Sequence, residues 1–187
     1  ATARYLRQMG IDTTLHGIQP FGSVTFNSED VDDPGIIIAG IGSAIEFKNV
    51  RYSLYDHIHW MSFAYSQSGS VDMLKQYGIF AGLSAGSSYT VANWCAQQNP
   101  QQPVIFIAAD MGHRYLEAVY EPHHQAQDIN TLKPTSIKSF DQLRLDWCHM
   151  RWHRRPDADT PTNSIERPAR ASLEKAHHQP DQQAELA

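Results

Sequence analysis

Gly82, Leu83, Ser84, Ala85 and Gly86 set one hydroxyl between two glycines, directly ahead of a helix-like run reaching Gln98. Two chemistries use such a junction. In the first, G-x-S-x-G is a nucleophile elbow, whose small residues permit the tight strand-to-helix turn that exposes a serine Oγ. Asp110 ends a later apolar segment and His113 or His123 follows it, so a Ser, Asp, His order is present. The pentapeptide is short, however, ten histidines make a downstream His nearly inevitable, and no HGGG-like oxyanion segment precedes it. In the second, the junction is a cradle, where glycine and alanine let a bound group come close to the backbone. Simpler roles are open as well. Ser84 suits an N-cap for a helix beginning at Ala85, Asp110 suits a turn or cap, and Gly40 and Gly42 suit tight packing.

Cys148, His149 and His153 have helical spacing compatible with a metal pair, but short motifs of this kind arise often by chance, and His149 and His153 are read as the solvated side of an amphipathic helix, with no metal expected. The basic run "RWHRR" at 151–155 reads as a solvated face or a contact with another part of the protein. The lysines are Lys48, Lys75, Lys133, Lys138 and Lys175.

These residues need elements to position them. Short β-prone segments alternate with helical ones, which implies an α/β sheet of mainly parallel strands. "ATARYLRQMG" reads as a helix ended by Gly10 in the left-handed conformation. Strands are expected at Thr14–Ile18, in "IIIAGIGS" (36–43), at Asp56–Phe63, and in "PVIFIAAD", Pro103–Asp110. The last of these is continuously apolar, as in a strand covered on both faces. An acidic, turn-rich loop spans Phe26–Gly35. A helix stopped by Gly78 should place Met73 and Leu74 on one side, and a second helix should run from about Ala85 to Gln98. Leu143, Trp147 and Met150, at i, i+4 and i+7, predict a docking helix near the end. Residues 156–187 hold almost no bulky apolar side chains and predict a disordered tail.

In consistent register, several segments resemble one family. "GIFAGLSAGSS" is similar to "GILAGISSGAA"; "ARYLRQ" with "LHGIQPFGS" resembles a helix followed by "VVGVEPxGS"; "IIIAGIGS" resembles "IQGIGAG"; "DHIHWMSF" resembles "DEVIxVSD"; and "VIFIAADMGHRYLEAVY" resembles "VVxILPDSGERYLST". The family is the cysteine synthase and cystathionine β-synthase group of fold type II pyridoxal-phosphate enzymes, and the likeness covers about residues 1–120, the C-terminal part of its catalytic domain. It implies a three-layer sandwich of the tryptophan synthase β type, with a C-terminal extension at 121–155 and the tail beyond it. It also implies pyridoxal 5'-phosphate as cofactor. Ser84 would then face the ring nitrogen and leave it unprotonated, Asp110 would lie near the same end of the ring, and Gly40 and Gly42 would line the substrate side. Ala109 departs from the family's proline before the aspartate. The implied chemistry is β-replacement through an aminoacrylate formed from an O-activated serine or a related amino acid.

The resemblance leaves a gap. No lysine stands in the family's Schiff-base context, and the "SGNTG" and "GTGGT" loops are absent. The chain is therefore expected to be a fragment, inactive alone, whose partners are an amino-acid substrate, a missing N-terminal half and a second copy in a homodimer. A non-catalytic module that kept the fold is the further alternative. Of the 187 residues, charged types balance to −5, and the pI is near 6.0. An acidic surface of that kind gives no reason to expect nucleic acid or an anionic membrane as partner. Only Cys95 and Cys148 are present, which predicts a reducing, cytoplasmic setting without a disulfide framework.

Overall fold

A computed structural model describes residues 2–36, 41–45 and 47–154. Helix α1, Thr2–Gln8, ends where Gly10 takes φ 77°, as expected. Strand β1 is His16–Pro20, two residues later than the predicted Thr14–Ile18. It forms one edge of the sheet, which is where a terminal proline, lacking an N–H, is tolerated. Strand β2, His57–Met61, lies beside it in parallel, pairing His16 with His57 and Ile18 with His59. Residues 37–40, the middle of the predicted "IIIAGIGS" segment, and the tail from 155 onward lie outside the described residues.

Helix α2, Phe63–Tyr77, starts on Ser62, whose hydroxyl accepts from the Tyr65 amide, and stops at Gly78 with φ 67°. Met73 is buried but Leu74 faces outward, because adjacent helical residues point about 100° apart. Helix α3, Leu83–Gln98, packs along α2. A Cβ on Gly69 would strike the Gly86 carbonyl and Thr90 Oγ1, and one on Gly86 would strike Ser70 Oγ and the Ser66 carbonyl. Serine hydroxyls fill the seam: Ser87 donates to Ser66 Oγ at 2.7 Å, and Ser70 donates to the Gly82 carbonyl at 3.0 Å. Much of the small-residue character of "GLSAGSS" is thus consumed by close helix contact.

The chain returns to the sheet in strand β3, Thr135–Ser136, and strand β4, Trp147–Arg151. The order is β1-β2-β4-β3, with β4 antiparallel to β2 and parallel to β3. The sheet is therefore mixed rather than mainly parallel, and β4 replaces the predicted docking helix. The Leu143, Trp147, Met150 spacing misleads because β4 is buried on both faces, so its apolar residues do not alternate. Trp147 joins Met61, Val91, Ile129 and Leu132 on the face covered by α3. Cys148 and Met150 join Phe21, Phe26, Ile58, Trp60, Ile137 and Trp152 on the other.

The second correction concerns 103–109, the segment with the most continuous apolar run. It carries no regular structure and lies exposed, with Ile105 at 92% and Ile107 at 73% accessibility. A doubly covered strand needs neighbours on both edges and a layer on each face. Here the ring of Phe106 meets Tyr89 of α3, 5.7 Å between centroids, and β4 has taken the place beside β2.

Candidate functional site

The N-terminus of α3 and the start of the 110–120 segment are held together by backbone. The Gly82 amide donates to the Asp110 carbonyl at 3.0 Å and the Gly112 amide to the Phe80 carbonyl at 3.1 Å. These bonds flank an antiparallel bridge between Ala81 and Met111. The Asp110 side chain then folds over the helix end. A Cβ at position 82 would collide with its carboxylate, so glycine is required there by close approach rather than by dihedral freedom.

Gly82 is the N-cap residue and has no side chain to cap with. Asp110 supplies the missing acceptor from a distance: its Oδ1 takes the Ala85 amide at 3.3 Å and the Ser84 hydroxyl at 2.7 Å. A carboxylate at a helix N-terminus also meets the positive end of the helix dipole. Ser84 is buried in the first turn and is not the cap itself. A carboxylate can only accept, so the single hydroxyl proton of Ser84 is directed at Asp110 and its lone pairs remain for a further donor. The second carboxylate oxygen, Asp110 Oδ2, is buried without a hydrogen-bond partner. Nearby, burial first, then the Asp110 charge and a hydrogen bond to Asp110, push the Tyr115 phenol up. The Tyr120 phenol donates to the Ala81 carbonyl, closing the same corner from behind.

Of the predicted site residues, Ser84 and Asp110 come into direct contact. Gly40 falls outside the described residues. Gly42 has φ 76°, and a Cβ there would lie 2.5 Å from Pro20 Cγ, so it permits the 41–45 loop to seat on the turn after β1. The triad histidines are elsewhere engaged: the His113 ring lies edge-on to Phe80, 5.0 Å between centroids, and His123 Nδ1 is 3.0 Å from the Tyr120 carbonyl. Ser84 and Asp110 bond directly, with no imidazole between them, which does not suit the hydrolase.

The other histidines hold a surprise of placement. His149 is not on a solvated helix face; in β4 it is buried, while Cys148 points to the opposite side of the sheet and His153 lies past the strand end. Cross-strand pairing puts His16 beside His57 and His59 beside His149. The signal in the sequence was the alternation His57-x-His59, whose i, i+2 spacing aims both rings at one face. Among the described residues no group of three or more His, Cys, Asp or Glu is arranged to hold a metal ion. No helix among them is long and apolar enough to cross a membrane.

No family model matches the chain, and no curated protein matches it. Among solved structures, the chain is similar to an O-acetylserine-dependent cystathionine β-synthase from Helicobacter pylori, with 30% identity and a TM-score of 0.53. The match takes in 64% of this chain and 39% of that one. The chain thus spans well under half of the enzyme it matches, and that enzyme is a cystathionine β-synthase, the group whose motifs the sequence resembles.

Proposed function

We propose that the chain is part of a pyridoxal-phosphate-dependent β-replacement enzyme of the cysteine synthase type, acting on an O-activated serine. The remainder of the fold would supply the Schiff-base lysine and the phosphate loop. Support comes from the concordant motifs and the 30% identity to a cystathionine β-synthase structure. The single observation that carries the site is the buried, unpartnered Asp110 Oδ2 beside a Ser84 hydroxyl already committed to Asp110 Oδ1. A buried carboxylate oxygen without a well-formed hydrogen bond is costly, and, with the Tyr115 phenol at the same carboxylate, a ring N–H would add the donor that Oδ2 lacks.

The cofactor, when bound, supplies an electron sink for the amino acid's α-carbon. Ser84 and Asp110 would hold the nitrogen end of its ring. Both present acceptors, which favours a protonated nitrogen and so differs from the unprotonated one expected of a lone serine. Leu83 and Tyr115, buried together with Val71 and Val119, keep water away from the back of the Asp110 corner. Gly42 would keep its loop close to the turn after β1 on the substrate side. The exposed, β-prone 103–109 segment fits the same proposal, since additional strands and helices from the rest of the fold would cover it.

The test is to express the uninterrupted reading frame that includes this chain, load it with pyridoxal phosphate, and record visible absorption and cofactor fluorescence. Ser84→Ala and Asp110→Asn should both weaken cofactor retention and alter the spectrum. Unchanged spectra in both variants, or a fluorophosphonate label that Ser84→Ala abolishes, would overturn the assignment.

A further inference from the structure

Four imidazoles lie on one face of the sheet between β1, β2, β4 and α3. The His16 and His57 rings are 4.5 Å apart between centroids, those of His59 and His149 4.7 Å, and those of His57 and His149 5.0 Å, all nearly parallel. Their hydrogen bonds run in a defined direction. Trp147 Nε1 is 3.1 Å from His59 Nδ1, and an indole can only donate. His59 therefore accepts on Nδ1 and, when neutral, carries its proton on Nε2. That proton points at His16 Nδ1, 2.9 Å away, which leaves the His16 proton on Nε2, with the Cys95 thiol at 3.9 Å.

The order has two consequences. A metal ion on His59 Nε2 would shift the proton to Nδ1, against the indole N–H, so the inner pair is not a metal site. Nor has the inner pair a free lone pair: another proton on His59 must displace Trp147, and one on His16 Nδ1 keeps its bond to His59 only if the His59 proton moves to Nδ1, against the indole. The outer pair, His57 Nδ1 and His149 Nε2 at 2.8 Å, has one unshared lone pair and can take a proton first.

We propose that this stack is an acid-operated latch: a proton entering the His16–His59 pair breaks the Trp147–His59 hydrogen bond and releases β4 from β2. The charges facing the stack do not neutralise it. Asp56 precedes β2, but Arg7 and Arg154 each hold it at 2.6 Å. Arg151 on β4 and His153 beyond it add positive charge, and α3 contributes the uncharged Trp94 and Cys95. Burial first, then the neighbouring imidazoles, push both His16 and His149 down to about 4 and hold His59 well below its ordinary value. For each extra proton taken up by the open form, the ratio of latched to open chains falls about tenfold per pH unit.

Three buried indoles make the test internal to the wild-type chain. Trp60 and Trp152 donate to the carbonyls of Phe26 and Tyr52, each at 3.1 Å, and only Trp147 donates to an imidazole. Indole N–H resonances of the 15N-labelled chain, followed from pH 7 to 4, should show Trp147 losing its shift and exchange protection before the other two. His16→Asn, which cannot be charged but still accepts from His59, should move that loss to lower pH by at least about half a unit. All three indoles changing together, or Trp147 persisting to pH 4, would overturn the latch. A His16→Asn chain that folds and shows the same midpoint as wild type would do so as well.

Discussion

Strand β4 and the segment 103–109 are both short, apolar and β-prone, yet one is central to the sheet and the other lies on the surface. Trp147 is 2% accessible, whereas Ile105 is 92%. The difference is one of partners: β4 has β2 on one edge and β3 on the other, and its backbone groups are satisfied by both. Segment 103–109 has no ladder. Apolar content makes a strand possible, and an available edge decides whether it forms.

The largest effect that sharpens this contrast should come from Trp147→Ala. It removes an indole from the Met61, Val91, Ile129 and Leu132 cluster and the donor to His59, and should cost about 3–5 kcal/mol in chemical denaturation. Gly86→Ala pushes a methyl into Ser70 and the Ser66 carbonyl. It should cost about 2–3 kcal/mol by the same measurement, since backbone cannot yield as a flexible side chain does.

Acidification should weaken the β4 side of the contrast selectively. His16 and His149 sit near 4 in the folded chain against about 6.5 when unfolded. The unfolded chain therefore binds more protons between those values. The contribution of these two histidines is complete above about pH 6.5, declines toward 4 and changes no further below it, with about 1–2 kcal/mol lost per histidine once solvent screening is allowed for. Urea midpoints at pH 7 and 4.5 measure this. Asp110→Asn weakens the carboxylate that serves as the remote cap of α3 and should cost about 1 kcal/mol. The smallest effect belongs to the surface segment: Ile105→Ser should shift the midpoint by less than about 0.5 kcal/mol and reduce self-association at high concentration. A loss of 2 kcal/mol there would show that 103–109 is packed in solution and would erase the contrast.

Legibility in the sequence followed the same division. Helix α2 was readable at its end, where Gly78 takes a positive φ, but not at its start, where Ser62 is the cap although the sequence reads it as strand; α3 was readable from the small-residue run that opens it. β2 was readable from Ile58 and Trp60 alternating with His57 and His59. β4 was not, since burial on both faces removes alternation and leaves a spacing that imitates a helix. Nor was the fate of 103–109, because edge pairing is decided by residues far away in the chain. At the candidate site, Ser84 and Asp110 were both legible. The direction of the bond between them was not, since it depends on Gly82 leaving room for the carboxylate. The imidazole stack required the registers His16 to His57 and His59 to His149, which no local pattern contains.

The bare backbone contact between Gly69 and Gly86 has a consequence for anyone building chimaeras. With no side chain to act as a spacer, the separation of the two helices is set by main-chain atoms, and the hydroxyls around them are matched to that separation alone. Grafting either helix from a relative with a wider gap would leave those hydroxyls reaching across empty space. The pair transfers as one cassette or not at all.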